Sequence, residues 1–149
     1  MAEQSGLVRS PFTITKVASG VTYLSSDLDT VNDWRDLLSY AVPLGMAIEI
    51  TPVNYIFGKL LTTGSTAITA GLSRLLKQNA NSTESRELWS GSNAIFKDIG
   101  DEFQRPKVRV PVVVSASQKL VWQVYGLGTT LDVSASDVSI ECIQYYEEI

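Results

Sequence analysis

Three runs in the last third of the chain decide the fold: Lys107-Val-Arg-Val-Pro-Val-Val-Val-Ser115, Leu120-Val-Trp-Gln-Val-Tyr125 and Val138-Ser-Ile-Glu-Cys-Ile-Gln-Tyr-Tyr146. β-Branched and aromatic residues dominate all three, the composition of a pleated, half-buried surface. Ser115–Lys119 separates the first run from the second. Gly126-Leu-Gly128 then turns the chain, Thr129–Val133 extends again, and Ser134–Asp137 turns it once more. Side chains alternate along a strand, so Val138, Ile140 and Cys142 share one face of the last run. Ser139 and Glu141 open the other face, and Ile143 and Tyr145 continue it. One side of this strand meets a core. The other is wet at first and aromatic toward its end.

Upstream the signals are shorter. Met46-Ala-Ile-Glu-Ile50 alternates and reads as a strand that Pro52 ends. Asn54–Thr63 is a second apolar strand candidate. Thr66–Lys77 reads either way: Leu72, Leu75 and Leu76 suit a helix, whereas Ile68, Gly71 and the threonines favour a strand. Lys77–Ser85 is an exposed polar loop holding the glycosylation tripeptide Asn81-Ser-Thr83, which is too short to carry an inference alone. Glu87–Trp89 and Ala94–Ile99 read as short strands or turns, and Asp98–Pro106 as a charged loop. Phe12–Val17 and Val21–Leu24 form two short strands or one bent strand. Between them and Met46 the period changes. Val31, Trp34, Leu37 and Leu38 fall at helical spacing, with Asp29 or Thr30 as N-cap and Asp33 in the first turn. This predicts a short amphipathic helix near Thr30–Tyr40, stopped before Pro43 and Gly45 and packed by Trp34 onto a sheet edge. Met1–Ser10 is expected to be a polar, flexible arm.

Short strands separated by turn signals every 8 to 12 residues or so, with no βαβ alternation, predict a mostly-β chain. The expected fold is an antiparallel β-sandwich or jelly-roll barrel with one short helix in the N-terminal half. The 149 residues suit one domain.

Composition narrows the function. The net charge of −4 argues against a general nucleic-acid-binding role, which needs a basic footprint, and against docking on anionic membranes. Met1–Arg9 lacks the apolar stretch of a signal peptide, and no run is long enough for a transmembrane helix. The one cysteine, Cys142, makes no internal disulfide and reads as a small buried hydrophobe. The chain has no histidine, which excludes Ser-His-Asp and Cys-His catalysis and histidine-ligated metals. Carboxylate-only chemistry stays open, although nothing singles out two of the sixteen acids. Asp98, Asp101 and Glu102, with Asp27 and Asp29, crowd two loops but lack the spacing of a calcium loop. Gly126-Leu-Gly128-Thr-Thr resembles half of a nucleotide fingerprint, yet no helix pattern follows it. No catalytic residue, metal or cofactor is assigned, and no small-molecule ligand is expected.

Aromatic and basic residues are the remaining candidates. The tryptophans Trp34, Trp89 and Trp122 and the tyrosines offer a sugar-stacking platform, or core and interface residues. Trp89, beside the polar loop, is the one expected at the surface. Arg105, Lys107 and Arg109 form a local basic patch; Lys107 and Arg109, two apart on a strand, project from one face. Such a patch is a solvated sheet face or an intersubunit salt-bridge strip. Trp89, Arg105, Lys107, Arg109, Tyr145 and Tyr146 are the candidate interface residues.

The order of features resembles the single jelly-roll coat proteins of icosahedral viruses. A polar arm and a short helix after the first strands are followed by Val42-Pro-Leu-Gly-Met-Ala-Ile-Glu-Ile50 and a polar mid-chain loop. Arg109-Val-Pro-Val-Val-Val114, Leu120–Tyr125 and Val138–Ile143 then close the barrel. The resemblance covers most of the chain. It implies two packed four-stranded sheets and a non-enzymatic capsid or decoration subunit. Such a subunit assembles in the host cytoplasm into a virion, with copies of itself and a second coat protein. The arm departs from the pattern: Arg9 is its single base, so a layer that does not face the genome fits better. Low charge, 19 % of residues, suits surfaces buried against neighbours. A carbohydrate-binding or adhesin sandwich is the competing reading, with a carboxylate hydrolase behind it.

Overall fold

The structure is a computed structural model that describes residues 7–15, 21–23, 28–29, 34–62, 64, 66–96, 106–132 and 135–147. The strands are β1 (Leu7–Thr15), β2 (Val21–Tyr23), β3 (Leu28–Asp29), β4 (Arg35–Ala41), β5 (Met46–Ile50), β6 (Ile56–Lys59), β7 (Leu72–Gln78) and β8 (Ser85–Ser92). A 3-10 turn at Asn93–Phe96 leads on to β9 (Val112–Ser115), β10 (Lys119–Tyr125), β11 (Thr130–Leu131) and β12 (Asp137–Glu147).

A single rule orders the principal strands. β5 and β6 are two halves of one strand, interrupted where Asn54 Oδ1 accepts from the Thr51 amide at 2.9 Å. With those halves merged and β2, β3 and β11 set aside as short accessory strands, the first principal strand pairs with the last, β1 with β12. The second pairs with the seventh, β4 with β10. The third pairs with the sixth, β5 with β9, and the fourth with the fifth, β7 with β8. All four ladders are antiparallel. This is the pairing of one long hairpin folded over itself, the jelly roll. The result is two sheets, β1-β12-β5-β9 with β6 also on β12, and β2-β4-β10-β7-β8.

The core lies between the sheets. The first contributes Ile14, Ile48, Ile50, Ile56, Val138, Ile140 and Cys142; the second contributes Leu38, Tyr40, Leu75, Leu120, Trp122 and Val124. The alternation expected of Val138, Ile140 and Cys142 is the one observed.

Two expectations are corrected. Residues 35–41 are strand β4, not the end of a helix near Thr30–Tyr40. Residues 30–33 lie outside the described residues. The helical spacing came from a β-bulge: Trp122 faces Leu38 and Gln123 faces Asp36, so Leu37 is an extra residue in β4. A bulge breaks the period of two, and Leu37 and Leu38 both reach the core. Residues 7–10, expected in the arm, pair with Gln144–Glu147 as the first half of β1. Met1–Gly6 lie outside the described residues. Among those described, no helix is long and apolar enough to cross a membrane.

Burial sets the chemistry of Cys142, which is 3 % exposed. Desolvation of the thiolate pushes its thiol from 9.0 up to about 12. The folded value is the raised one, so keeping the thiol neutral stabilises the fold fully below pH 9.0. That contribution is lost as pH climbs toward about 12. A disulfide reagent at pH 8 is expected to leave the native thiol unmodified and to titrate it in urea. The loss of urea resistance above pH 9 is expected to be shallower in Cys142→Ala. Rapid labelling of the native protein would contradict this placement.

Candidate interface groove

The rule that pairs first strand with last leaves β8 and β9 at the sheet edges, and both edges fall on one side of the sandwich. Among the described residues β8 pairs only with β7, and β9 only with β5. A side chain bridges the two sheets here: Lys77 Nζ on β7 donates to the Val113 carbonyl on β9 at 2.7 Å. Between these edges runs a groove of about 610 Å³ lined by Arg86–Ser90, Lys107–Val110 and Val112.

One wall is the segment before β9. A strand was expected to begin at Lys107, but β9 begins at Val112. Pro111 has no N–H to give to a ladder, and a proline there ends the pairing. The segment is held instead by the Pro106 carbonyl, which accepts from the Ile56 amide at 3.1 Å, and by buried Val108. Lys107 and Arg109 flank Val108 and stay exposed, so they share the outward side without being in a strand. Lys107 Nζ stands 4.9 Å from the centre of the Tyr55 ring, a cation–π contact.

The other wall is β8, which carries a second bulge. Leu75 faces Trp89 and Leu76 faces Glu87, so Leu88 is the extra residue, and both Leu88 and Trp89 turn partly into the core. The Trp89 ring lies 5.9 Å from Phe96 and 6.2 Å from Trp122, and Phe96 lies 5.7 Å from Trp122. Trp122 is wholly buried, and its Nε1 donates to Ser73 Oγ at 3.2 Å. The Ser73 hydroxyl in turn donates to Asn93 Oδ1, and Asn93 Nδ2 donates to the Ala70 carbonyl at 3.0 Å. Every member of this buried polar chain has a partner, as burial requires.

Of the candidate interface residues, the fold brings Trp89, Lys107 and Arg109 to one groove. Arg105 lies outside the described residues, as do Asp27, Asp98, Asp101 and Glu102. Tyr145 and Tyr146 are elsewhere, near the end of β12 between β1 and β5. The Tyr145 hydroxyl donates to Glu49 Oε1 at 2.8 Å, and Arg9 sits 5.9 Å from its ring centre. The bond to Glu49, then burial, raises the Tyr145 phenol above its ordinary value. Trp89 is half-buried and Trp122 fully so, which leaves neither as a flat, open sugar platform.

Arg86 and Glu87 in the groove were missed, because nothing local ties Arg86–Ser90 to a segment twenty residues away. Also missed was a cluster on the outer face of the second sheet. There the Arg74 guanidinium lies 4.0 Å from the Trp34 ring centre, and Arg74 Nε donates to Gln123 Oε1 at 2.8 Å. Gln123 Nε2 donates to Asp36 Oδ1 at 2.7 Å, and Trp34 packs on Tyr125 at 5.2 Å.

No protein-family model matches the chain. No curated protein matches it in sequence. Among solved structures it is similar to VP17, a capsid protein of bacteriophage P23-77. The TM-score is 0.69 at 9 % identity, over 95 % of this chain and 97 % of that one. It is also similar to a chain of the VP16–VP17 complex of the two major capsid proteins of the same phage. There the TM-score is 0.68 at 8 % identity, over 92 % and 98 % of the two chains. The resemblance in pattern to single jelly-roll coat proteins is met in three dimensions: over 95 % of its length, this chain has the fold of a phage capsid protein.

Proposed function

We propose that the chain is a non-enzymatic structural subunit of a virion shell. It is a single domain that assembles with copies of itself and with a second coat protein. The observation that carries this reading is the match of fold, 95 % of this chain on 97 % of VP17. The lack of histidine supports the non-enzymatic part, and the net charge of −4 supports a layer without specific nucleic-acid contact. The edge strands β8 and β9, each paired on one side only among the described residues, support assembly, since edge strands in solution invite uncontrolled pairing unless a neighbour covers them. On this reading the subunit is assembled in the host cytoplasm and resides in the virion.

Light scattering after size exclusion is the test. Rings or larger oligomers are expected to grow with protein concentration, alone or with the second coat protein. A strict monomer at high concentration, absent by mass spectrometry from purified particles, overturns the proposal.

A further inference from the structure

We propose that the groove between β8 and Lys107–Val112 is the seat for an acidic surface of a second copy of this chain, in a head-to-tail contact. This rests on the shell-subunit reading above and names its contact surface. Three cations, Arg86, Lys107 and Arg109, line the groove against one carboxylate, Glu87. The described lining therefore carries +2 in a chain of net −4, which leaves −6 for the rest of the chain. Among the described residues no carboxylate pairs with Arg86 or Arg109. Their charges are free to meet a partner's.

The sign of the charge selects the geometry. In a twofold dimer with the groove on its axis, each groove would face the same groove, placing cations against cations. Like charges brought together at an interface repel, so that arrangement is disfavoured. A head-to-tail contact puts the +2 groove on the −6 remainder of the next copy; repeated, it gives a ring where the rotation closes and an open filament where it does not. Exposed Val110 and Val113, 53 % and 46 % accessible, give this side an apolar margin, and the contact covers the β8 and β9 edges.

The experiment uses the full chain. Copies grown on ordinary and on heavy nitrogen are mixed, treated with a water-soluble carbodiimide, digested and mapped by mass spectrometry. The reagent joins amines only to carboxylates in direct contact, and among the described residues Lys107 is the one lysine lining the groove. Mixed-isotope peptides joining Lys107 to an aspartate or glutamate of the other copy are expected. Lys107→Arg is expected to lose the cross-link and keep the assembly. The double variant Arg86→Glu/Arg109→Glu is expected to associate at least about tenfold more weakly at low salt, with the difference shrinking at high salt as screening shortens. Both side chains lie on the rim, and circular dichroism checks that the fold is kept. If assemblies form with Lys107 uncross-linked and the double variant assembles as wild type does, the groove proposal is overturned and the shell reading stands. If Lys107 cross-links only to a different coat protein, the second-copy assignment is overturned. A chain that stays monomeric throughout ends both.

Discussion

Gly71→Ala is expected to cost on the order of 4 kcal/mol or more and to leave little folded protein at 37 °C. Gly71 precedes β7 with φ +82°, in the left-handed region. A Cβ built there stands 2.3 Å from the Tyr125 carbonyl oxygen and 2.6 Å from that of Gly126. Both are backbone atoms on the adjoining strand end, so no side-chain rotation relieves the overlap. The Gly71 carbonyl also accepts from the Asn93 amide at 3.0 Å, which ties the end of the β7–β8 hairpin to the 3-10 turn. Gly45 is the control. Its φ is +79°, and a Cβ there meets nothing within 4 Å. Gly45→Ala therefore carries only the conformational cost, about 1–2 kcal/mol. Urea denaturation of both variants separates the two contributions; equal midpoints would show that the close approach at Gly71 is absent.

The second large effect is expected at Trp122. Trp122→Ala is expected to cost about 3–5 kcal/mol, the range for removing a buried aromatic. It empties the space between the sheets, takes away the ring on which Trp89 and Phe96 lean, and removes the donor to Ser73 Oγ. Trp122→Phe keeps most of the ring contact and loses the hydrogen bond, so about 1–2 kcal/mol is expected. Thermal melts, with near-ultraviolet dichroism of the aromatic cluster, check the order. Because Trp89 is both a groove wall and a neighbour of Trp122, the alanine variant is also expected to weaken association before it unfolds. Assembly unchanged in a destabilised Trp122→Ala would separate the groove from the core behind it.

Strands whose alternation runs unbroken were legible in the sequence. Val138, Ile140 and Cys142 keep a period of two because β12 is central and regular, and Ile48 and Ile50 do so on β5. Where a strand carries a bulge, the period fails locally. Leu37 and Leu38 are adjacent and both buried, which mimics one face of a helix. Leu88 and Trp89 repeat the pattern on β8. Nothing in the residues alone distinguishes a bulge from a helical turn over so few positions; the partner strand does. The groove was half legible for a similar reason. Basic and aromatic residues could be flagged one by one, but the closeness of Arg86–Ser90 to Lys107–Val112 is set by the folded-hairpin topology, which local pattern does not encode. Pro111 was a warning that Lys107 would not lie in a ladder.

The place of β12 has a consequence for how the molecule is made. One edge of β12 holds β1, and the other holds β5 and β6. Its ladder with β1 joins residues as far apart as Leu7 and Glu147. The first sheet cannot close until β12 has been synthesised, and until then β1, β5 and β6 have no common partner. Contacts so distant in sequence make folding slow, because loop closure precedes its reward. A stalled or truncated product lacking β12 would therefore expose three strand edges at once, and it is a natural substrate for chaperones or for aggregation.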